Sequence, residues 1–161
     1  MKPMKICLWF EEEALEAARF YVSLFPDGEL GSITYFTKEG FETHHRPEGS
    51  VMTVEFRMNG CDFIALNGGA LFKFDEAVSL VIHCDTQDEI DRYWKALSEG
   101  GEESECGWLK DRFGLTWQVV PQDFMTWLDG DPAGAQRVMQ AVMGMIKIDV
   151  AQLKAAYEGT A

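Results

Sequence analysis

A pattern that occurs twice limits this chain more than any other feature of its sequence. The apolar run Ile6–Phe10 (ICLWF) leads into a helical stretch bearing Phe20-Tyr21, and Leu80–Cys84 (LVIHC) leads into one bearing Tyr93-Trp94. The offset is about 73 residues, and Phe63–Asn67 (FIALN) corresponds to Thr116–Val120 (TWQVV) at an offset of about 53. In the first copy, Glu11–Leu24 places apolar residues at helical spacing, with glutamates at the positive end of the helix dipole. Pro26-Asp27-Gly28 ends it. Ile33–Phe36, Val51–Met58 and Asp62–Asn67 then read as strands, the last two joined by Asn59-Gly60, a strong hairpin signal. In the second copy, Ser79–Cys84 is a strand, Gln87–Leu97 an amphipathic helix stopped by Gly100-Gly101, and Cys106–Lys110 and Leu115–Val120 are strands. It is shorter because it lacks a counterpart of the polar stretch Thr37–Ser50. The sequence therefore predicts an α+β fold of two βαβββ modules, 1–69 and 78–121, with a linker at 70–77 and helices on one face of each sheet.

The remainder, 122–161, has no counterpart and reads as a helical extension: Gln122–Leu128, Pro132–Met145 and Val150–Tyr157, the second with Asp131 as N-cap and Pro132 at the first helical position. Met139, Met143 and Met145 fall near one apolar face, as expected of a core or a dimer seam. The 161 residues are 47% hydrophobic and 25% charged, which fits an ordered globular chain. The formal charge of −13 leaves no basic excess to displace counterions from phosphates, so no nucleic-acid partner is expected. No apolar run approaches the roughly 20 residues of a membrane span, and the start lacks a secretory pattern, so no membrane partner and a cytoplasmic location are expected. Cys7, Cys61, Cys84 and Cys106 form no CxxC pair and no zinc spacing, and are expected as small buried thiols.

Several stretches together carry a family resemblance: CLWFEEEALEAARFYVSLFP, SVMTVEF, FIALNGG, FKF, CGWLKDRFGLTWQVVP and AQRVMQAVMGMIKID. The chain resembles, over almost its whole length, the PhnB-like branch of the vicinal oxygen chelate (glyoxalase/bleomycin-resistance) superfamily. Such proteins often carry the label 3-demethylubiquinone-9 3-methyltransferase. The resemblance implies that each module curls into a half-barrel, that modules commonly pair across a homodimer, and that a divalent metal is held by His and Glu side chains from first and last strands. Aligning DRFGLTWQV on the superfamily's Asp-x-x-Gly-x-x-x-Glu ending puts Gln118 where the carboxylate would stand. The other three places fall at Lys5 or Ile6, at Ala65 or Asn67, and at Ser79. None of these is a good ligand, and no metal is expected.

What remains is a cavity for a small molecule. Parity along Leu115–Val120 puts Thr116, Gln118 and Val120 on one side and Leu115, Trp117 and Val119 on the other. A buried Gln118 amide needs partners, and Ser79, Asn67 or a ligand could supply them. Ser79, Val81 and His83 share a face, so His83 is either a hydrogen-bonded structural histidine or a cavity residue. His44 and His45 lie in the long polar loop, as solvated residues or as part of a lid. Among the strand aromatics, Trp9, Phe74 and Trp108 are the candidates for a cavity wall, the rest for core. Gly68-Gly69 and Gly100-Gly101 read as a hairpin exit and a helix stop, so no cofactor site for a methyl donor is visible. An enzyme of this superfamily, a methyltransferase and a sequestering binding protein all remain open.

Overall fold

The computed structural model describes residues 3–160, and the chain forms two compact units that divide between Phe74 and Asp75. In the first unit, β1 (Ile6–Phe10) is followed by α1 (Ala14–Leu24), β2 (Glu29–Tyr35), the one-turn helix α2 (Phe41–His44), β3 (Val51–Met58) and β4 (Cys61–Asn67). Sheet order is β1-β4-β3-β2, with β1 parallel to β4 and the other neighbours antiparallel. The second unit repeats this with β5 (Leu80–Cys84), α3 (Gln87–Ser98), β6 (Glu102–Glu103), β7 (Trp108–Lys110) and β8 (Thr116–Pro121), in the order β5-β8-β7-β6. Ile6 lies beside Phe63 as Leu80 lies beside Trp117, so the repeat holds with Phe63 matched to Trp117 rather than to Thr116, one residue along from the sequence alignment of FIALN on TWQVV.

Alternation decides which face each strand buries. In β1, Leu8 and Phe10 are buried while Cys7 and Trp9 turn away, and in β4 Phe63, Ala65 and Asn67 are buried against the helix side. Ala14, Ala17 and Ala18 are fully buried, so α1 can approach the sheet closely. Its Tyr21 ring packs on Phe56, which stacks on Phe63 with centroids 5.1 Å apart. In the second unit Thr86 caps α3 by accepting from the Glu89 amide, and Ile90, Tyr93, Trp94 and Leu97 face inward. β2 begins earlier than the sequence suggests, because a bulge between Leu30 and Ile33 breaks its alternation. β6 is a two-residue edge strand of glutamates with no apolar pattern to announce it.

The C-terminal helices, α4 (Phe124–Leu128), α5 (Pro132–Val142) and α6 (Val150–Glu158), cluster with the second unit. Asp131 caps α5 through the Gly134 amide at 2.8 Å. Between α5 and α6 the chain is tied down: the Cys106 and Gly107 amides donate to the Met145 and Ile146 carbonyls. The Gln87 side chain bridges the Ile148 carbonyl and the Val150 amide, and Ile148 is fully buried. The inward stripe of α5 is Gly134, Val138 and Val142. Met139 and Met143 are exposed, so of the two expectations the core is ruled out for them and the seam stays open. The cysteines also differ from expectation: Cys84 is buried and Cys106 partly so, but Cys7 and Cys61 are exposed. Cys7 sits on the helix-free face of an edge strand and Cys61 just after the hairpin turn, where an apolar neighbourhood in sequence does not mean burial.

Candidate functional site

The sheet face opposite α3 gathers most of the second module's candidate residues. Val81 lies beside Gln118 and His83 beside Val120 across β5–β8, while Trp108 pairs with Gln118 and Lys110 with Thr116 across β7–β8. Leu115, Trp117 and Val119 are buried on the other side. The Gln118 amide is half-buried, and its Nε2 donates to Ser79 Oγ at 2.9 Å. Lys110 forms an ion pair with Glu76 at 2.5 Å, which raises the Lys110 pKa. A cavity of about 170 Å³ runs along Trp108, Lys110 and Thr116 to Glu76 and Glu102. His83 is exposed, without a hydrogen-bond partner among the described residues, so the structural reading of this histidine gives way to a place on the helix-free face.

By register, Lys5 corresponds to Ser79, Ile64 to Gln118 and Trp9 to His83. Lys5 Nζ donates to Glu55 Oε1 and Ser32 Oγ to Glu55 Oε2, and the two hold the Glu55 carboxyl below its ordinary range. Trp9 donates from Nε1 to the Gly69 carbonyl at 2.8 Å and meets Phe72 edge-on at 5.0 Å. Gly68 has to be glycine, since a Cβ there would come within 2.2 Å of the Trp9 ring.

Two candidates sit elsewhere. Asn67 shares the helix side with Phe63 and Ala65; its Oδ1 accepts from the Ala14 amide at 2.8 Å and its Nδ2 donates to the Val51 carbonyl at 3.0 Å. It caps α1 from a distant strand, taking the place of Glu13, whose side chain makes no cap. Phe74 packs on Phe10, which alternation places on the face opposite Trp9. It is therefore not a companion of Trp9.

The register also tests the metal that the superfamily implies. On the helix-free faces, the four equivalent places are Lys5, Ile64, Ser79 and Gln118; Ala65 and Asn67 drop out because they face α1. An ammonium, an alkyl chain, a hydroxyl and an amide are not a donor set for a hard or borderline divalent ion. Among the described residues no three His, Cys, Asp or Glu side chains come together as ligands. The residues do not fit that metal.

Two structural centres were not visible in the sequence reading. Asp111 is buried; its Oδ1 accepts from the Phe113 and Leu115 amides and its Oδ2 from Trp117 Nε1 at 2.8 Å. With the Gly114 amide donating to the Asp111 carbonyl, the Asp-x-x-Gly of DRFG is a turn that aims β8, and so aims Gln118. The second is Arg46, whose guanidinium bonds the Glu12 carboxylate and the Glu11 carbonyl at the start of α1. The loop 37–50, read as solvated or as a lid, is thereby fastened. A charged residue in a polar loop gives no sign of such a long-range contact.

A family model described as 3-demethylubiquinone-9 3-methyltransferase matches residues 2–120. Among solved structures, a PhnB protein from Bacillus cereus is 31% identical, with a TM-score of 0.65 over 74% of this chain and 99% of that one. Protein PA1353 from Pseudomonas aeruginosa is 21% identical, with a TM-score of 0.58 over 76% and 100% of the two chains. No curated protein matches the sequence.

Proposed function

Because the chain belongs to the 3-demethylubiquinone-9 3-methyltransferase family, the PhnB-like branch of the vicinal oxygen chelate superfamily, we propose that it binds a small, partly aromatic molecule on the helix-free face of the second sheet without a tightly held metal. The observation that carries this reading is the Ser79–Gln118 hydrogen bond beside Trp108. A neutral hydroxyl–amide pair stands where the superfamily holds its metal, next to an indole suited to a flat ligand. Such a face orients a ligand through hydrogen bonds and ring contact.

Sequestration is favoured over turnover by the same face, whose only strand histidine, His83, has no carboxylate bonded to orient it as a base. Transfer of a methyl group, as the family's description says, finds less support. Gly68-Gly69 accommodates Trp9, and Gly101 donates to the Ser98 carbonyl at the end of α3, so neither pair opens a nucleotide-binding turn. A homodimer and a cytoplasmic location complete the reading.

The test is a thermal-shift screen against divalent cations, S-adenosylmethionine, quinones and aromatic antibiotics. At a hundred times its Kd, a ligand specific to the native state adds about 2.7 kcal/mol of stability. The expected outcome is a rise in Tm with a ring-bearing compound, weakened in Gln118→Ala, and no rise with metals. A rise with S-adenosylmethionine alone would transfer the reading to methyl transfer. A stoichiometric transition metal lost in Gln118→Ala would refute the metal-free site.

A further inference from the structure

We infer that His44 is a pH-sensitive clasp: with its ring neutral it holds the segment 37–50 folded beside α1, and a proton on Nδ1 releases that segment. The Arg46 amide donates to His44 Nδ1 at 2.9 Å, and a backbone N–H can only donate, so Nδ1 carries no proton. The ring proton is therefore on Nε2, which donates to the Glu39 carbonyl at 3.2 Å. Both nitrogens are satisfied in this one tautomer. The ring also lies 4.6 Å from buried Phe36, with Phe41 edge-on. An imidazolium bears N–H groups at both nitrogens, so protonation would set Nδ1–H against the Arg46 N–H and leave two donors facing each other.

The consequence reaches α1 through Arg46. Its guanidinium ties the segment to Glu12 and Glu11, and with Leu15, Val51 and Asn67 it lines a cavity of about 450 Å³. The adjoining His45 sits at φ +53°, a left-handed conformation that relaxes once the segment is free. The titratable and charged groups of the segment and of the element it meets are Glu39, Glu42, His45 and Arg46, the Lys38–Glu48 ion pair, and Glu12 ahead of α1. Glu39 and Glu42 are exposed and screened by solvent, and Glu12 already pairs with Arg46. None of them takes the place of the Nδ1 acceptor for the Arg46 amide.

The experiment is NMR on the full chain. It follows exchange of the Arg46 amide, corrected for the intrinsic pH dependence, from pH 7.5 to 5, together with the ¹⁵N shifts of the His44 ring. Loss of one net hydrogen bond lowers Arg46 protection about fivefold as the His44 ring takes a proton on Nδ1. His44→Asn offers an oxygen to the same amide and does not titrate, so its protection stays flat. Wild-type protection that is independent of pH, or an equal fall in His44→Asn, overturns the clasp. If the variant loses protection at every pH, the wild-type ring decides: a bare Nδ1 at pH 7.5 that gains a proton as Arg46 protection falls upholds the clasp, and a proton on Nδ1 at pH 7.5 refutes it.

Discussion

Asp111 is 3% exposed, yet its carboxyl is surrounded by donors from the Phe113 and Leu115 amides and the Trp117 indole. Hydrogen bonds of this kind to a charged acceptor are among the strongest single contributions to stability. Asp111→Asn keeps an oxygen for the two amides but turns an NH₂ toward Trp117 Nε1–H. The expected loss is about 2–3 kcal/mol in urea unfolding. Adding Trp117→Phe removes the facing donor, so the double variant loses less than the sum of the two single ones. An Asp111→Asn protein as stable as the wild type would show that the turn does not depend on the charge. Asp111 thus fixes the turn that leads into β8, the strand whose Gln118 is bonded by Ser79 from just ahead of β5.

Asp27, in the turn after α1, holds a distant hairpin. Its two carboxylate oxygens accept from the Asn59 amide at 2.8 Å and the Gly60 amide at 2.7 Å. Asn59 and Gly60 have φ of +46° and +74°, the left-handed pair that an Asn-Gly turn favours. The Gly60 amide first, then that of Asn59, holds the Asp27 carboxyl below its ordinary range. A depressed folded-state pKa contributes stability that is present above the unfolded value, about 3.9, and lost as pH falls through the folded one. Asp27→Asn should therefore flatten the acid limb of a stability-versus-pH curve below about pH 4; an unchanged limb would exclude Asp27 as a source of it. The hairpin itself was legible in the sequence, since Asn-Gly between β-rich runs is a local signal, but its anchor lies 32 residues away and left no local trace. The same contrast runs through the candidate site. Parity along β8 gave the face of Gln118, while its partner was left open among Ser79, Asn67 and a ligand, of which Ser79 bonds it. It could also have placed Asn67, which alternates with Phe63 and Ala65, the residues packed on α1, yet an isolated polar residue in an apolar strand looks alike whether it caps a helix or faces a ligand. β6 escaped because two exposed glutamates carry no period.

At the scale of the whole molecule, the C-terminal helices are built into the second unit through Ile148, Gln87 and the Cys106–Gly107 amides, and they leave Met139, Met143 and Ile146 exposed on the outside. Exposed apolar side chains one helical turn apart form a surface that a second copy can cover, which supports the proposed homodimer. Light scattering at micromolar concentration should give twice the mass of one chain, and Met139→Glu with Met143→Glu should reduce it to that of one. A monomer in the unmodified protein would refute the pairing; a dimer that survives both glutamates would place its seam elsewhere. The repeat has its own consequence for such experiments. Gln118 has a twin at Ile64, Ser79 at Lys5 and His83 at Trp9, each pair set in the same frame by the same register. A substitution on β5 or β8 thus has a matched control on β1 or β4 within the same polypeptide, in the same buffer and at the same temperature. Comparing twins separates what the architecture requires of a position from what its chemistry requires.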